Sequence, residues 1–127
     1  MKTHIFKIVL LGFVLFMGCS KEATLAPAED DQRLAQLGKE IGEFAKNKAC
    51  SGGDDCRTMA MGSKPCGGPT SYVIYSLSKT DENQLSDKVK QYTDFEKELN
   101  IKYNRVSDCM FLMPPMVDCV NGVCASK

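Results

Sequence analysis

Two stretches of the chain carry apolar residues at helical spacing. Between Asp30 and Lys48, Leu34, Leu37, Ile41 and Phe44 follow one another at steps of three, four and three, which puts them on one face and predicts a first helix. Glu29, Asp30 and Asp31 at its start and Lys46 and Lys48 at its end suit the helix dipole. Gly38 and Gly42 lower the helix propensity, and their spacing suggests that another element packs closely there. A second helix is predicted over Glu82 to Asn100, where Leu85, Val89, Tyr92, Phe95 and Leu99 recur at four, three, three and four. Thr80 or Asp81 supplies its cap, and Gln84 stands three residues after Asp81, as a capping box requires. The aromatic set Tyr92, Phe95 and Tyr103 reads as core packing rather than as a ligand cage.

Strand patterns lie between and after the helices. Arg57 to Met61 and Ser71 to Leu77 are predicted strands, the second with Val73, Tyr75 and Leu77 on one side and Tyr72 and Ile74 on the other. Both faces being apolar, that second strand is expected at the centre of a small sheet. The connection Gly62 to Pro69, GSKPCGGP, holds three glycines and two prolines in eight residues, which describes a shaped and stiff loop. Cys50 to Cys56, CSGGDDC, is a turn without apolar period; Asp54 and Asp55 fall short of the six to eight oxygens that calcium takes. Near the end, Asn121-Gly122 between valines is a strong two-residue hairpin signal, joining Met116–Val120 to Val123–Ala125. The expected architecture is α+β: two helices packed on a small antiparallel sheet.

The first stretch of the chain has another pattern. Lys2 and Lys7 precede an unbroken apolar run, Ile8 to Met17, and Gly18 then stands directly before Cys19. About ten apolar residues is half of what a bilayer-spanning helix needs. The segment resembles the bacterial lipobox, although Phe16 and Met17 stand where that motif more often has Leu and a small residue. The resemblance implies cleavage before Cys19 and acylation of Cys19, so that the protein sits on the membrane through an N-terminal lipid. Simple cleavage downstream, near Ala26 or Ala28, is the alternative. Ser20 resembles an outer-membrane sorting signal, and Ser20 to Ala28 reads as a tether reaching about 30 Å when extended. The expected address is the bacterial envelope, with the domain in the periplasm or at the cell surface.

Cleavage before Cys19 leaves 109 residues, enough for one small domain over residues 29 to 127, expected as a monomer. The formal balance moves from zero to about −2, because the leader removes Lys2 and Lys7 and no acid. Nothing in that balance points to nucleic acid. Seven cysteines become six once Cys19 is acylated or removed: Cys50, Cys56, Cys66, Cys109, Cys119 and Cys124. In an oxidising compartment these read as about three disulfides, a metal cluster being the competing reading. In a two-residue hairpin Cys119 faces Cys124 at a distance that a bridge accepts. That suggests Cys119 with Cys124, Cys50 with Cys56 and Cys66 with Cys109, one pairing among fifteen. The last would close some forty residues and contribute about 3 to 4 kcal/mol.

The run CRTMAMGSKPCGGPTSYVIYS, Cys56 to Ser76, with the helix, the SDC triplet and the final cysteine pair after it, resembles a loose group of exported bacterial cysteine-rich proteins of unassigned function. That resemblance implies a scaffold role for the loop and no activity. The sole histidine, His4, belongs to the leader, so the mature chain has no imidazole for a triad, a general base or a usual zinc site. Ser63 and Lys64 are adjacent and poorly disposed to act on one atom, and Glu96 and Glu98 lie on different sides of a helix. Neither a phosphate-binding nor a dinucleotide-binding motif is present, and no cofactor is expected. The expectation is a non-catalytic binding module, with inhibition of a secreted hydrolase as one form. Lys64, Pro65, Gly67 and Gly68 are its candidate contacts with an envelope or secreted protein. The alternative is a structural or assembly lipoprotein that docks another envelope component. An exposed apolar patch around Met110 to Met116 would favour docking, and a protruding loop with exposed Lys64 would favour inhibition.

Overall fold

The computed structural model describes residues 26–127; the Ile8–Met17 run, Cys19 and Ser20 lie outside the described residues. The order of elements is α1 (Ala26–Phe44), a 3₁₀ turn (Gly53–Asp55), β1 (Cys56–Met61), β2 (Ser71–Ser76), α2 (Glu82–Lys102), β3 (Val117–Val120) and β4 (Val123–Ser126). The α+β class expected from the sequence is what the chain adopts.

Helix α1 is shifted toward the N-terminus relative to its pattern. It starts at Ala26, so residues 26–28 are helix and not tether; Pro27 in the first turn loses no hydrogen bond there and has its φ preset. It stops at Phe44, which leaves Lys46 and Lys48 outside the helix whose dipole they were expected to meet. Tertiary pairing sets that stop. The Cys124 amide donates to the Lys48 carbonyl at 2.8 Å and the Cys50 amide to the Gly122 carbonyl at 3.0 Å, so residues 48–50 run extended beside β4. Helix α2 matches its pattern more closely: the Asp81 side chain caps it, accepting from the Gln84 amide at 3.0 Å and from the Gln84 side chain at 3.1 Å.

The helices run antiparallel across one face of the β1–β2 pair. Strand register runs from Cys56 opposite Ser76 to Met61 opposite Ser71. Ile41, Ala45, Tyr75, Leu85 and Val89 form the buried cluster, with Phe44, Met59, Met61, Val73 and Tyr92 packed around it. Gly38 lies under the Tyr92 ring, where a Cβ would come within 3.3 Å; Gly42 has nothing within 4 Å, so only the first of the two marks a close approach.

Strand β2 is not the centre of a sheet. Each of the two sheets has two strands, so among the described residues β2 pairs with β1 alone. Its second apolar face has another use, since the Tyr72 hydroxyl donates to the Leu112 carbonyl at 3.1 Å and meets the segment that follows α2. Tyr75, on the helix side, is 1 % exposed and donates to Glu82 Oε1 at 2.6 Å.

The β3–β4 hairpin forms as its sequence indicates, with Asn121 at φ 51° and Gly122 at φ 78° in the turn. Cys119 does stand opposite Cys124. The bridges, however, are Cys50–Cys119 and Cys56–Cys124, with Cα separations of 5.9 and 5.4 Å, while Cys66–Cys109 is paired as expected at 5.3 Å. Both hairpin cysteines lie on the face that covers the 50–56 turn, so each meets a cysteine of that turn rather than its neighbour across the hairpin. The Sγ atoms of Cys50, Cys56 and Cys124 fall within 4.8 Å of one another because the two bridges lie side by side.

A non-reducing peptide map should therefore yield the 50–119, 56–124 and 66–109 linkages and no 119–124 ring. Removing the third bridge by Cys66→Ser with Cys109→Ser should lower the unfolding free energy by about 3 kcal/mol in urea titration, the cost of freeing a loop of a few tens of residues. Burial first, and Glu82 second, push the Tyr75 hydroxyl up to about 12. A raised value contributes stability fully below the ordinary tyrosine range near 10, lost as pH rises through 12. Phenolate absorbance of Tyr75, identified by its loss in Tyr75→Phe, should appear only with alkaline unfolding.

Candidate functional site

The loop 62–69 is built on the C-terminal half of α2. Gly62 donates its amide to Thr93 Oγ1 at 2.9 Å, Ser63 donates its amide to Glu96 Oε2 at 2.6 Å, and Asn100 Nδ2 donates to the Ser63 carbonyl at 2.6 Å. Glu96 Oε2 also accepts from the Thr70 hydroxyl at 3.1 Å, and the Thr70 amide closes the loop onto the Met61 carbonyl at 3.0 Å. Gly62, at φ 86°, has no substitute: a Cβ there would lie 1.7 Å from Thr70 Oγ1. Gly67 and Gly68 also take positive φ, 99° and 83°, in a turn closed between Lys64 and Gly68.

Lys64 does not project from this loop. Its Nζ donates to Asp108 Oδ1 at 2.8 Å and to the Met110 carbonyl at 3.0 Å, and the side chain is 17 % exposed. The side chain offered as a candidate contact is thus spent inside the protein. Ser63 and Lys64 are correspondingly turned to different tasks, the backbone of one on α2 and the ammonium of the other on Asp108. Pro65 and Gly67 remain at the surface, with Lys64 and Ser63, along a cleft of about 570 Å³ that Lys97, Asn100, Asn104 and Arg105 complete. Gly68 is exposed but lies outside that lining.

What Lys64 fastens is the segment after α2. From Val106 to Met116 the chain has no helix or strand, and it is held as a strap at several points. Cys109 is bridged to Cys66, the Met110 carbonyl accepts from Lys64, the Leu112 carbonyl accepts from Tyr72, and the Met116 carbonyl accepts from the Lys127 amide at 2.9 Å. Its side chains face out: Met110, Phe111, Met113 and Met116 each keep 70 % or more of their surface exposed, and Val106 is exposed too. Cys109 to Val117 contains no charged residue. Of the two features that were to separate inhibition from docking, the exposed apolar patch is present and the exposed Lys64 is not.

The strap begins where α1 begins. Lys102 Nζ and the Tyr103 hydroxyl both donate to Asp30 Oδ2 at 2.7 Å, and Arg105 pairs with Asp31. The start of α1 is therefore tied to the last turn of α2 and to the residue just before Val106. Asp30 here, and Asp108 under Lys64, lie below the usual carboxylate range. Asp30 is lowered by the hydrogen bond from Lys102 first and Tyr103 next, and Asp108 by the hydrogen bond and charge of Lys64.

Glu96 organises the loop from α2, accepting from Ser63 and Thr70. The signal was there: Leu85, Val89, Tyr92, Glu96 and Leu99 follow a strict four-three alternation, so an acid stands on the inward stripe. Phe95, expected on that stripe, packs instead under Arg33, whose Cζ is 4.7 Å from the ring centre. The chain matches no family model, no curated protein and no solved structure.

Lys64→Met keeps the stem but removes both polar contacts to the strap. Cleavage within residues 106–113 by a nonspecific protease should accelerate while amide exchange in α2 and β1 keeps its rate. Acid should do the same to the wild type. A lowered carboxylate contributes stability fully above the unfolded value near 4, lost as pH falls through the folded value. Strap protection should then decline only below about pH 4.

Proposed function

We propose that the protein is a lipid-anchored, non-catalytic docking module of the bacterial envelope, and that its contact surface is the 106–116 strap rather than the 62–69 loop. One observation carries the reading: four large apolar side chains, Met110, Phe111, Met113 and Met116, stand in solvent on a backbone that a disulfide and three hydrogen bonds fix in place. Apolar surface of that kind, concentrated on one segment, marks a contact region. Because the backbone is already restrained, little conformational freedom is lost when the surface is covered. The loop 62–69 takes the scaffold role, holding the strap through Cys66 and Lys64.

The anchoring half of the reading rests on the lipobox-like sequence that ends at Cys19. Among the described residues no helix is long and apolar enough to cross a membrane. The non-catalytic half rests on the absence of any histidine after His4 and on the engagement of Lys64 with Asp108. Inhibition of a secreted hydrolase through Lys64 is the weaker reading, since that side chain would first have to leave two internal partners.

A photo-crosslinking amino acid at position 111, in cells making the full chain, should yield adducts that the same group at Gln36 on α1 does not. Equal yields at both positions, or none at 111, would reject the strap as the contact surface.

A further inference from the structure

The strap's position relative to the chain that precedes the structure says what covers it. Six residues, Ser20 to Leu25, separate Cys19 from Ala26. Fully extended, they hold the start of α1 within about 25 Å of an acylated Cys19. The start of α1 is fastened to the foot of the strap by the Asp30 pairs with Lys102 and Tyr103 and by the Asp31 pair with Arg105. Any bilayer that holds the lipid is thus brought to the end of the molecule from which Val106, Met110 and Phe111 project.

The strap's polar groups suit that neighbour. A backbone carbonyl moved into an apolar layer without a partner costs several kcal/mol, and this sets the limit on non-helical segments at membranes. Here the carbonyls of Met110, Leu112 and Met116 are each occupied from within the protein and Pro114 and Pro115 have no amide hydrogen, while the amides of Phe111, Leu112 and Met113 have no partner among the described residues, so the segment suits the hydrated interfacial layer and not the hydrocarbon centre. No charge enters with the segment, because Asp108 and Asp118 stand just outside Cys109 to Val117 and both are ion-paired.

We infer that the strap is a second membrane contact: Met110, Phe111 and Met113 insert into the interfacial layer of the bilayer that bears the protein's own lipid. The inference rests on the anchored-docking reading above and names the surface that the strap docks on. The nearby bases add little electrostatic preference. Lys64, Lys102 and Arg105 are each paired with an aspartate and only Lys97 of the neighbouring cleft has no carboxylate partner among the described residues, so the main contact is with the glycerol and upper acyl region rather than with anionic headgroups. The domain would consequently lie against the membrane instead of standing off from it.

The chain contains no tryptophan, so one placed in the strap is a unique reporter. Full-length lipidated Phe111→Trp, and separately Met113→Trp, would be reconstituted into vesicles of neutral phosphatidylcholine and into vesicles that add anionic phosphatidylglycerol. Ser51→Trp, on the turn at the far end of the domain, serves as the reference. A blue shift at positions 111 and 113, with quenching by lipids brominated on the upper acyl chain and equal effects in both vesicles, is the expected result. Emission at 111 and 113 that matches that at 51 would overturn the membrane contact, as would an effect confined to anionic vesicles. Crosslinking at position 111 in cells then separates the two levels of the argument. Adducts to a protein or to a second copy of this chain leave the docking reading standing and remove the bilayer as its target; no adduct at all removes both.

Discussion

The structure depends on two crossed covalent links, Cys50–Cys119 and Cys56–Cys124. Two helices and a two-stranded sheet bury one modest cluster around Tyr75 and Leu85, and a hairpin as short as β3–β4 does not hold itself together in water. The links fix that hairpin across the end of the β1–β2 pair, where Ala49 and Val123 add a further bridge of backbone pairing. In chain-entropy terms the first closes a separation of 69 residues and is worth about 4 kcal/mol. Once it is made, the second closes only a ring of roughly a dozen residues and adds about 3 kcal/mol. The pair acts less as two independent staples than as one rigid joint.

From that joint the rest of the molecule is arranged in relays of short polar contacts. Asp55 accepts from the Ser78 amide and hydroxyl at 2.8 and 2.7 Å, fixing the connection from β2 to α2. Helix α2 presents Thr93, Glu96 and Asn100 to the 62–69 loop, and the loop presents Cys66 and Lys64 to the strap. Each contact is partly buried or exposed and modest by itself. Their value is positional: an apolar segment with no secondary structure of its own is given a defined path without being folded into the core.

Much of the fold was legible in the sequence because its signals are local. Asp81 capping α2, the 85–89–92–99 stripe and the Asn121-Gly122 turn each depend on residues within a few positions of one another. The misjudged features are those decided at a distance. Phe44 ends α1 because residues 48–50 are needed beside β4. Tyr72 makes β2 look central because its second face meets the strap. The disulfides were misassigned for the same reason: hairpin register shows that Cys119 and Cys124 face each other, but not what lies beneath them. At the site, the exposed patch could be anticipated from an uncharged run with two prolines. The capture of Lys64 by Asp108 could not, since it spans 44 positions of sequence.

The crossed arrangement also bears on how the chain is made. Every bridge needs a cysteine at position 109 or later, and the crossed two need Cys119 and Cys124, more than sixty positions after their mates. A polypeptide delivered across a membrane from its N-terminus would expose Cys50, Cys56 and Cys66 well before any correct mate arrives. The nearest wrong mate, six positions away, is the easiest to reach while the chain is still emerging. On the exported reading proposed above, correct pairing would call either for a hold on those early thiols or for an isomerase to undo their first union.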